Sequence, residues 1–338
     1  MRVVVIGATG NVGVRVVEAL ARRDEVDEIV GIARRRPDIE PPKTTYTAAD
    51  IRDADLRTLF RGADVVVHLA WMIQPGRDER VTASTNIEGS RRVVQAVIEA
   101  GVRALVYASS VGAYAPGPKS MRVDEEWPTT GISSSFYSRH KAAVERDLRW
   151  RAAIHPGLRI VVLRPALIFQ RGAASEIQRL FLGPLFPHAL ANPKLVPILP
   201  LPRGLAVQAV HAEDVAEAYA LAVTRADVRG ALNVAADPVL DGPTLGEVLD
   251  AKVVTVPAAL ARAGAAATFA AHLQPSEPGW LDMGLQTPLM ATDRLRALGW
   301  SPRHSATDAL RELLAGIRDR AGTPTPPLHP AGRRPRAA

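Results

Sequence analysis

Two side chains at helical spacing, Tyr137 and Lys141, form a pair that could move a proton. Residues four apart on a helix share one face, so the phenol and the ammonium would be neighbours. The apolar segment LVYASSVGAY precedes them and contains Ser109 and Ser110. A phenol, an ammonium and a hydroxyl can therefore converge at the carboxyl end of a strand, which is an acid/base arrangement. An ordinary surface pair at helical spacing is the alternative interpretation.

A glycine-rich turn, GATGNVG, follows the apolar run RVVVI near the start of the chain and precedes a segment of helical periodicity. Gly7 can adopt a left-handed dihedral, Gly10 admits a phosphate close to the backbone, and Gly13 lets the helix approach the sheet. Strand, turn and helix in this order predict a site for a dinucleotide pyrophosphate. A helix end or a tight turn would also use such glycines.

Valine-rich runs at 3–6, 29–33, 65–69, 104–108 and 159–163 alternate with helical segments. Continuous hydrophobicity is typical of parallel strands that are covered on both faces. We therefore expect an α/β protein, a Rossmann-type doubly wound parallel sheet with a smaller, mostly C-terminal substrate lobe.

The changes in pattern along the chain predict its domain boundaries. The dinucleotide-binding domain is expected over 1–169, rejoined by about 205–235 and 290–318, and the substrate lobe over 170–204 and 236–289. The proline-rich, arginine-containing stretch 321–338 is predicted to be a disordered basic tail.

The composition limits the class of protein. The chain has 338 residues and a net charge of +7, with 47% hydrophobic residues and no cysteine, which excludes disulfides and thiol chemistry. Three of the charges belong to arginines in the tail, so we expect no nucleic-acid partner. No leader or membrane segment is expected, and we predict a cytoplasmic protein.

Several motifs together resemble the extended short-chain dehydrogenase/reductase superfamily, in particular its NAD-dependent epimerase/dehydratase branch. Besides the glycine turn and YSRHK, they are DVVVHLA, TNIEGSRRVVQA, VVLRPALIF, VHAEDVAEA and LGWSP, in the order of the family. The resemblance implies that Tyr137 is the acid/base, Lys141 its electrostatic partner and ribose ligand, and Ser110 the hydroxyl that binds the reacting oxygen. We expect Lys141 and the nicotinamide to lower the pKa of Tyr137.

The predicted cofactor-binding residues follow from the glycine turn and from the resemblance. They are Gly7, Thr9, Gly10, Asn11, Val12, Gly13, Arg34, Arg35, Asp50, Ile51, Leu69, Ala70, Asn86, Ser109, Tyr137, Lys141, Arg164 and Pro165. Asn86 could equally cap the helix that follows it.

The end of the second strand bears on the choice of cofactor. Ala33 stands where NAD-binding members carry an acidic residue, and Arg34 and Arg35 follow it. Guanidinium groups match the oxygens of a 2′-phosphate, so NADP is preferred and NAD is possible. A solvated basic loop is the alternative.

No metal site is predicted, because no zinc signature includes any of the eight histidines. His211 and Asp214 are expected to hold a helix start.

The predicted function is transfer of a hydride between a nicotinamide and a secondary alcohol or ketone, by a Ser/Tyr/Lys mechanism. The alternatives are a nucleotide-sugar epimerase or dehydratase that retains NAD, and a non-catalytic NADP-binding redox sensor. The segment PILPLPRGLAVQAVH and the residues Trp71, Met72, Trp280, Leu281 and Met283 favour an apolar small-molecule substrate, although they could simply fill the core of the lobe. The family resemblance also implies a possible homodimer, through helices that begin near Arg77 and Ser133.

Overall fold

The computed structural model describes residues 1–74, 77–183, 191 and 197–330. The strands, numbered in chain order, are β1 Arg2–Ile6, β2 Glu28–Ala33, β3 Thr44–Ala48, β4 Val65–His68, β5 Ala104–Ala108, β6 Arg122–Val123, β7 Arg159–Pro165, β8 Leu167–Phe169, β9 Ile198–Pro202, β10 Val207–His211, β11 Gly230–Val234, β12 Ala236–Leu240, β13 Lys252–Val256 and β14 Leu289–Met290.

The helices are α1 Asn11–Ala21, α2 Leu56–Leu59, α3 Glu79–Ala83, α4 Ser90–Glu99, α5 Phe136–Ile154, α6 Ala174–Ile177, α7 Ala212–Thr224, α8 Gly242–Leu249, α9 Ala258–Ala270, α10 Gly279–Gln286, α11 Asp293–Ala297 and α12 Ala306–Arg318. A π-helical segment, Ser84–Gly89, joins α3 to α4, and a second one, Gln178–Leu182, follows α6. None of the helices in the described part of the chain is both long enough and apolar enough to cross a membrane.

Seven parallel strands form the large sheet, in the order β11-β7-β5-β4-β1-β2-β3. The order reverses between β1 and β4, and a crevice opens at the carboxyl ends of the strands at such a reversal. The predicted doubly wound parallel sheet is confirmed. Sequence reasoning missed the two edge strands, β3 and β11, because neither is a continuous valine-rich run.

A hydrophobic core covers each face of this sheet. One core joins the strands to α1 and α7, for example through Val17 and Val215. The other joins them to α2, α4 and α5, for example through Leu56, Val93 and Leu148. Both cores hold the strand ends in fixed positions, so the residues that follow each strand have a defined place at the carboxyl edge.

Smaller sheets extend beyond that edge. Strands β12, β10 and β8 form a three-stranded sheet, β13 pairs with β9, and β14 pairs with β6. Strand β10, which was expected in the large domain, belongs to the three-stranded sheet, whereas β11 pairs with β7 in the large one. Residues 184–190 and 192–196 of the predicted substrate lobe lie outside the described residues.

The segment 321–330 differs from the prediction. It is not a disordered tail, because Thr325 and Leu328 are fully buried and Thr325 hydrogen-bonds to the turn after β1. Its threonine and leucine side chains have sites on the large domain, which the proline content of the segment does not reveal. The remainder of the predicted tail, 331–338, lies outside the described residues.

Candidate functional site

The glycine turn between β1 and α1 has the geometry of an anion cradle. Gly7 has φ +83°, and a Cβ there would lie 2.8 Å from the backbone nitrogen of Ala70. A Cβ on Gly13 would lie 2.1 Å from the carbonyl oxygen of Gly7, whereas one on Gly10 would meet that oxygen only at 3.6 Å. Gly7 and Gly13 are therefore required by the fold, while Gly10 faces free space.

The amino end of α1 carries no side-chain cap. Its first amide groups, which include those of Asn11 and Val12, have no partner within the helix and carry the positive end of the helix dipole. The side chain of Asn11 is engaged elsewhere, because its Oδ1 accepts a hydrogen bond from Gln170 at 2.7 Å. Asn11 thus offers its backbone to an anion, but not its side chain.

A cavity of about 170 Å³ lies beside this turn. Most of the predicted cofactor-binding residues near the first strands line this cavity. Several residues that were not predicted to bind the cofactor line it as well. The lining residues are Ile6, Gly7, Thr9, Gly10, Ile32, Ala33, Arg34, Ala49, Asp50, Ile51, Leu69, Ala70, Trp71, Met72, Thr85, Glu176 and Pro327.

The charged residues at the far end of the cavity lie where the sequence places them. Arg34 lines the cavity, and Arg35 is exposed beside it. Asp50 also lines the cavity, and its carboxylate accepts hydrogen bonds from the Arg52 guanidinium at 3.1 and 2.8 Å. That hydrogen bonding lowers the pKa of Asp50, so the residue is an ionised acceptor at neutral pH.

Tyr137 and Lys141 lie on one face of α5, and Ser110 follows β5. Ser110 hydrogen-bonds to Tyr137, and its Oγ also accepts from the Gly112 amide at 3.0 Å. Lys141 is 3% exposed, and its Nζ donates to the carbonyl oxygen of Ala108 at 2.6 Å. The structure thus brings the three side chains to the carboxyl end of β5.

In the protein alone, burial outweighs any lowering of the Tyr137 pKa by Lys141. Burial raises the pKa of Tyr137 to about 12, and the hydrogen bond from Ser110 only partly opposes that rise. Lys141 Nζ lies nearer to the ring centroid of Trp71, at 3.5 Å, than to that of Tyr137, at 5.7 Å. Burial also lowers the pKa of Lys141 well below its ordinary value, against the attraction of Glu145.

Two of the predicted cofactor-binding residues take part in a buried hydrogen-bond network. Ser109 donates to Glu145 Oε1 at 2.5 Å, and Arg164 donates to the two oxygens of Glu145 at 2.9 and 2.7 Å. Arg164 Nη1 also donates to Tyr114 and to the Glu125 carbonyl oxygen. The Arg164 guanidinium therefore donates four hydrogen bonds within the protein, and the assignment of Arg164 to the cofactor site stays a prediction. Pro165 ends β7 at the same edge.

Asn86 fixes the loop after β4. It is fully buried in the π-helical segment, and its amide exchanges two hydrogen bonds with the backbone of Met72, at 2.7 and 2.8 Å. It caps no helix. It acts as a positioning residue, because Met72 and its neighbour Trp71 line the cavity.

An aromatic cluster covers the Tyr137 phenol. The ring centroids of Trp71 and Trp280 lie 5.9 and 4.9 Å from that of Tyr137, and Phe181 packs edge-on against Trp280 at 4.9 Å. The sulfur of Met283 lies near Gly112, next to the same phenol. The apolar residues Trp71, Trp280 and Met283 thus meet at Tyr137.

Two cations that contact α10, the helix that carries Trp280, have protein partners. Arg262 pairs with Asp282 at 2.8 Å, and Lys119 donates to the carbonyl oxygens of Ala206 and Gly284 at 2.7 and 2.9 Å. Burial lowers the pKa of Lys119 to about 8, which further weakens its value as an anion ligand.

One group of side chains has the composition of a metal site. Ligand atoms of His211, Glu213 and His304 lie within 4.8 Å of one another. However, His211 Nδ1 accepts a hydrogen bond from the Glu213 amide at 3.2 Å, so in the neutral ring the proton is on Nε2, opposite Glu312. His211 therefore caps α7, as expected. Asp214 instead accepts from the amides of residues 303 and 304.

Glu145, Glu176 and Pro327 are site residues that sequence reasoning missed. The sequence does indicate Glu145, since it lies on the same face of α5 as Lys141, one helical turn further on. Glu176 and Pro327 had none, because only tertiary folding brings α6 and the segment 321–330 to the glycine turn.

Comparison with known proteins shows which family this chain is similar to. The model of the NAD dependent epimerase/dehydratase family matches residues 3–235. An uncharacterised protein of Mycobacterium tuberculosis is 29% identical over 325 residues, which are 95% of this chain and 31% of that protein. The chain therefore spans about a third of the length of this relative.

Two further similarities concern a dehydrogenase and an epimerase. The sterol-4-alpha-carboxylate 3-dehydrogenase of Candida albicans is 29% identical over 181 residues, 50% of this chain and 51% of that protein. The structure of the Thermus thermophilus UDP-glucose 4-epimerase, a complex with NAD, aligns with a TM-score of 0.69 at 24% identity and covers 94% of this chain and 99% of that chain. At this identity the structural similarity concerns the fold.

Proposed function

Since the family match covers more than half of its residues, the chain belongs to the NAD-dependent epimerase/dehydratase family, and we propose that it oxidises a secondary alcohol or reduces the corresponding ketone. One observation carries the proposal. The uncapped amino end of α1 and the group Ser110, Tyr137 and Lys141 open onto the same edge of the sheet, with Trp71 in contact with both regions.

The residues around the glycine turn fit a nicotinamide dinucleotide. The amides of Asn11 and Val12 would hold the pyrophosphate, and a Cβ on Gly10 is absent where a phosphate must approach. Asp50 would accept from the adenine amine, and Arg34 would hold a 2′-phosphate, which favours NADP over NAD. When bound, the nicotinamide supplies or accepts the hydride.

The roles of the side chains follow from their protonation. A phenol with a pKa of about 12 is protonated at neutral pH, so Tyr137 is ready to donate a proton to a carbonyl oxygen. Ser110 would bind the same oxygen and orient it. For alcohol oxidation the phenolate must be stabilised, and Lys141 can do this after it leaves Trp71 and the Ala108 carbonyl.

The surroundings of Tyr137 favour an apolar substrate. Trp71, Trp280, Phe181 and Met283 offer aromatic and thioether surface, and Arg262 and Lys119 are engaged by protein groups. A nucleotide sugar carries a pyrophosphate, which needs free cations. A bulky ring alcohol has no charge and needs no free cation. The name of the Candida relative, a sterol dehydrogenase, agrees with this class of substrate.

Tyr137→Phe tests the proposal. We expect this variant to lose about 10²–10⁴-fold in turnover, because the proton donor is removed, while dinucleotide affinity stays within a few-fold. Tyr46→Phe is the matched control, since the Tyr46 hydroxyl is a buried phenol without a partner. The substrate is found first by thermal shift with NADP, NAD, 3-hydroxysteroids and UDP-hexoses. Full activity of Tyr137→Phe would refute the acid/base assignment, and binding of UDP-hexoses alone would refute the apolar class.

A further inference from the structure

We infer that the segment 321–330 forms a roof over the pyrophosphate end of the dinucleotide site and slows release of the cofactor. This inference rests on the proposed dinucleotide binding at the glycine turn. It adds to this site a part of the chain that is remote in sequence, since the segment 321–330 and the glycine turn lie near opposite ends of the described residues.

The roof has a fixed position on the large domain. Leu328 is fully buried against Val14, one turn into α1, and against Ala173. The segment closes on itself through hydrogen bonds from the Thr323 amide to the Leu328 oxygen and from the Leu328 amide to the Thr325 oxygen, both at 2.9 Å. Protein groups alone therefore hold the segment in this position.

The roof contacts the glycine turn directly. The Thr325 hydroxyl, which is fully buried, donates to the carbonyl oxygen of Thr9 at 2.8 Å. Two residues further on, Pro327 lines the cavity together with Thr9 and Gly10. The segment thus holds the backbone of the turn from one side and closes the space above it.

A second element supports the roof. Arg179 follows α6 and donates to the carbonyl oxygens of Pro327 and His329. Glu176, three residues earlier, also lines the cavity. Burial raises the pKa of the Glu176 carboxyl, and the charge of Arg179 opposes that rise. The segment, α6 and the glycine turn therefore enclose one space.

Enclosure has two physical consequences for an anion on the amides of α1. Exclusion of water lowers the local dielectric, which strengthens the attraction between amide groups and phosphate oxygens. Release also requires the roof to open, which breaks the Thr325 hydrogen bond and moves Pro327. Both effects lower the dissociation rate of the dinucleotide.

The test is the dissociation rate of NADPH from the full-length protein, measured by displacement in a stopped-flow fluorimeter. In Thr325→Val the hydroxyl is lost at nearly constant volume, and we expect the rate to rise about 2- to 10-fold, the equivalent of one ordinary hydrogen bond. Leu328→Ala should raise it further. Thr224→Val is the matched control, because its hydroxyl also donates to a carbonyl oxygen, at 3.0 Å, but on α7.

Melting temperatures establish that each variant is folded, and Thr325→Val keeps the test valid if Leu328→Ala unfolds. Unchanged or slower dissociation from a folded Thr325→Val variant would overturn the roof while leaving the proposed function intact. If the wild-type protein binds neither NADPH nor NADH, the proposed function fails, and the roof with it.

Discussion

Replacement of Glu145 by glutamine should strongly destabilise the protein, because it leaves a guanidinium uncompensated in the interior. Glu145 and Arg164 are 2% and 5% exposed in their side chains and share two hydrogen bonds, at 2.9 and 2.7 Å. Removal of one partner of such a buried pair costs about 3–5 kcal/mol. At about 2 °C per kcal/mol for a chain of this size, the melting temperature should fall by roughly 6–10 °C.

The assay is thermal unfolding followed by circular dichroism, with Asp147→Asn as the control. Asp147 lies on the same helix, is 20% exposed and faces Arg151 at 3.9 Å, so its loss should cost under about 1 kcal/mol. A double variant, Glu145→Met with Arg164→Met, should recover much of the lost stability, since neither charge is then buried alone. Equal melting temperatures for Glu145→Gln and Asp147→Asn would refute the proposed role of the pair.

Three further outcomes are expected. Gly13→Ala should prevent correct folding, because its Cβ would lie 2.1 Å from a backbone oxygen, whereas Gly10→Ala should melt normally and lose NADPH binding in a fluorescence titration. Arg34→Ala with Arg35→Ala should weaken NADP more than NAD, and equal weakening would reject the phosphate assignment. Burial raises the pKa of Glu176 to about 7. The stability this carboxyl contributes is therefore complete below about pH 4.5 and lost as the pH rises through 7. Glu176→Gln should remove the part of the fall in melting temperature between about pH 4.5 and 7 that this carboxyl causes. A variant whose melting temperature depends on pH as the wild type's does would contradict this role of Glu176.

The sequence predicts the large sheet because its signal is local. Each buried parallel strand is a continuous apolar run, and the glycine turn places β1 before α1 without reference to the rest of the chain. The same applies to Tyr137 and Lys141, whose common helix face follows from their spacing alone.

What the sequence does not predict depends on distant contacts. Arg164 belongs to a family motif, yet its guanidinium donates hydrogen bonds to Glu145 and Tyr114, which are 19 and 50 residues away in the sequence. Lys141 is drawn to Trp71 and a strand carbonyl, so its effect on the Tyr137 phenol cannot be read from helical spacing. The sequence of a proline-rich terminus likewise gives no sign that Leu328 has a buried site on α1.

The central claim is that a dinucleotide on the glycine turn brings its nicotinamide to Ser110, Tyr137 and Lys141. A crystal structure of the protein grown with NADPH tests it most directly. The account predicts the pyrophosphate on the amides of Asn11 and Val12, Trp71 displaced from Lys141, and the nicotinamide ring beside the Tyr137 hydroxyl. A nicotinamide bound away from Tyr137, or a dinucleotide bound outside the crevice, would contradict it.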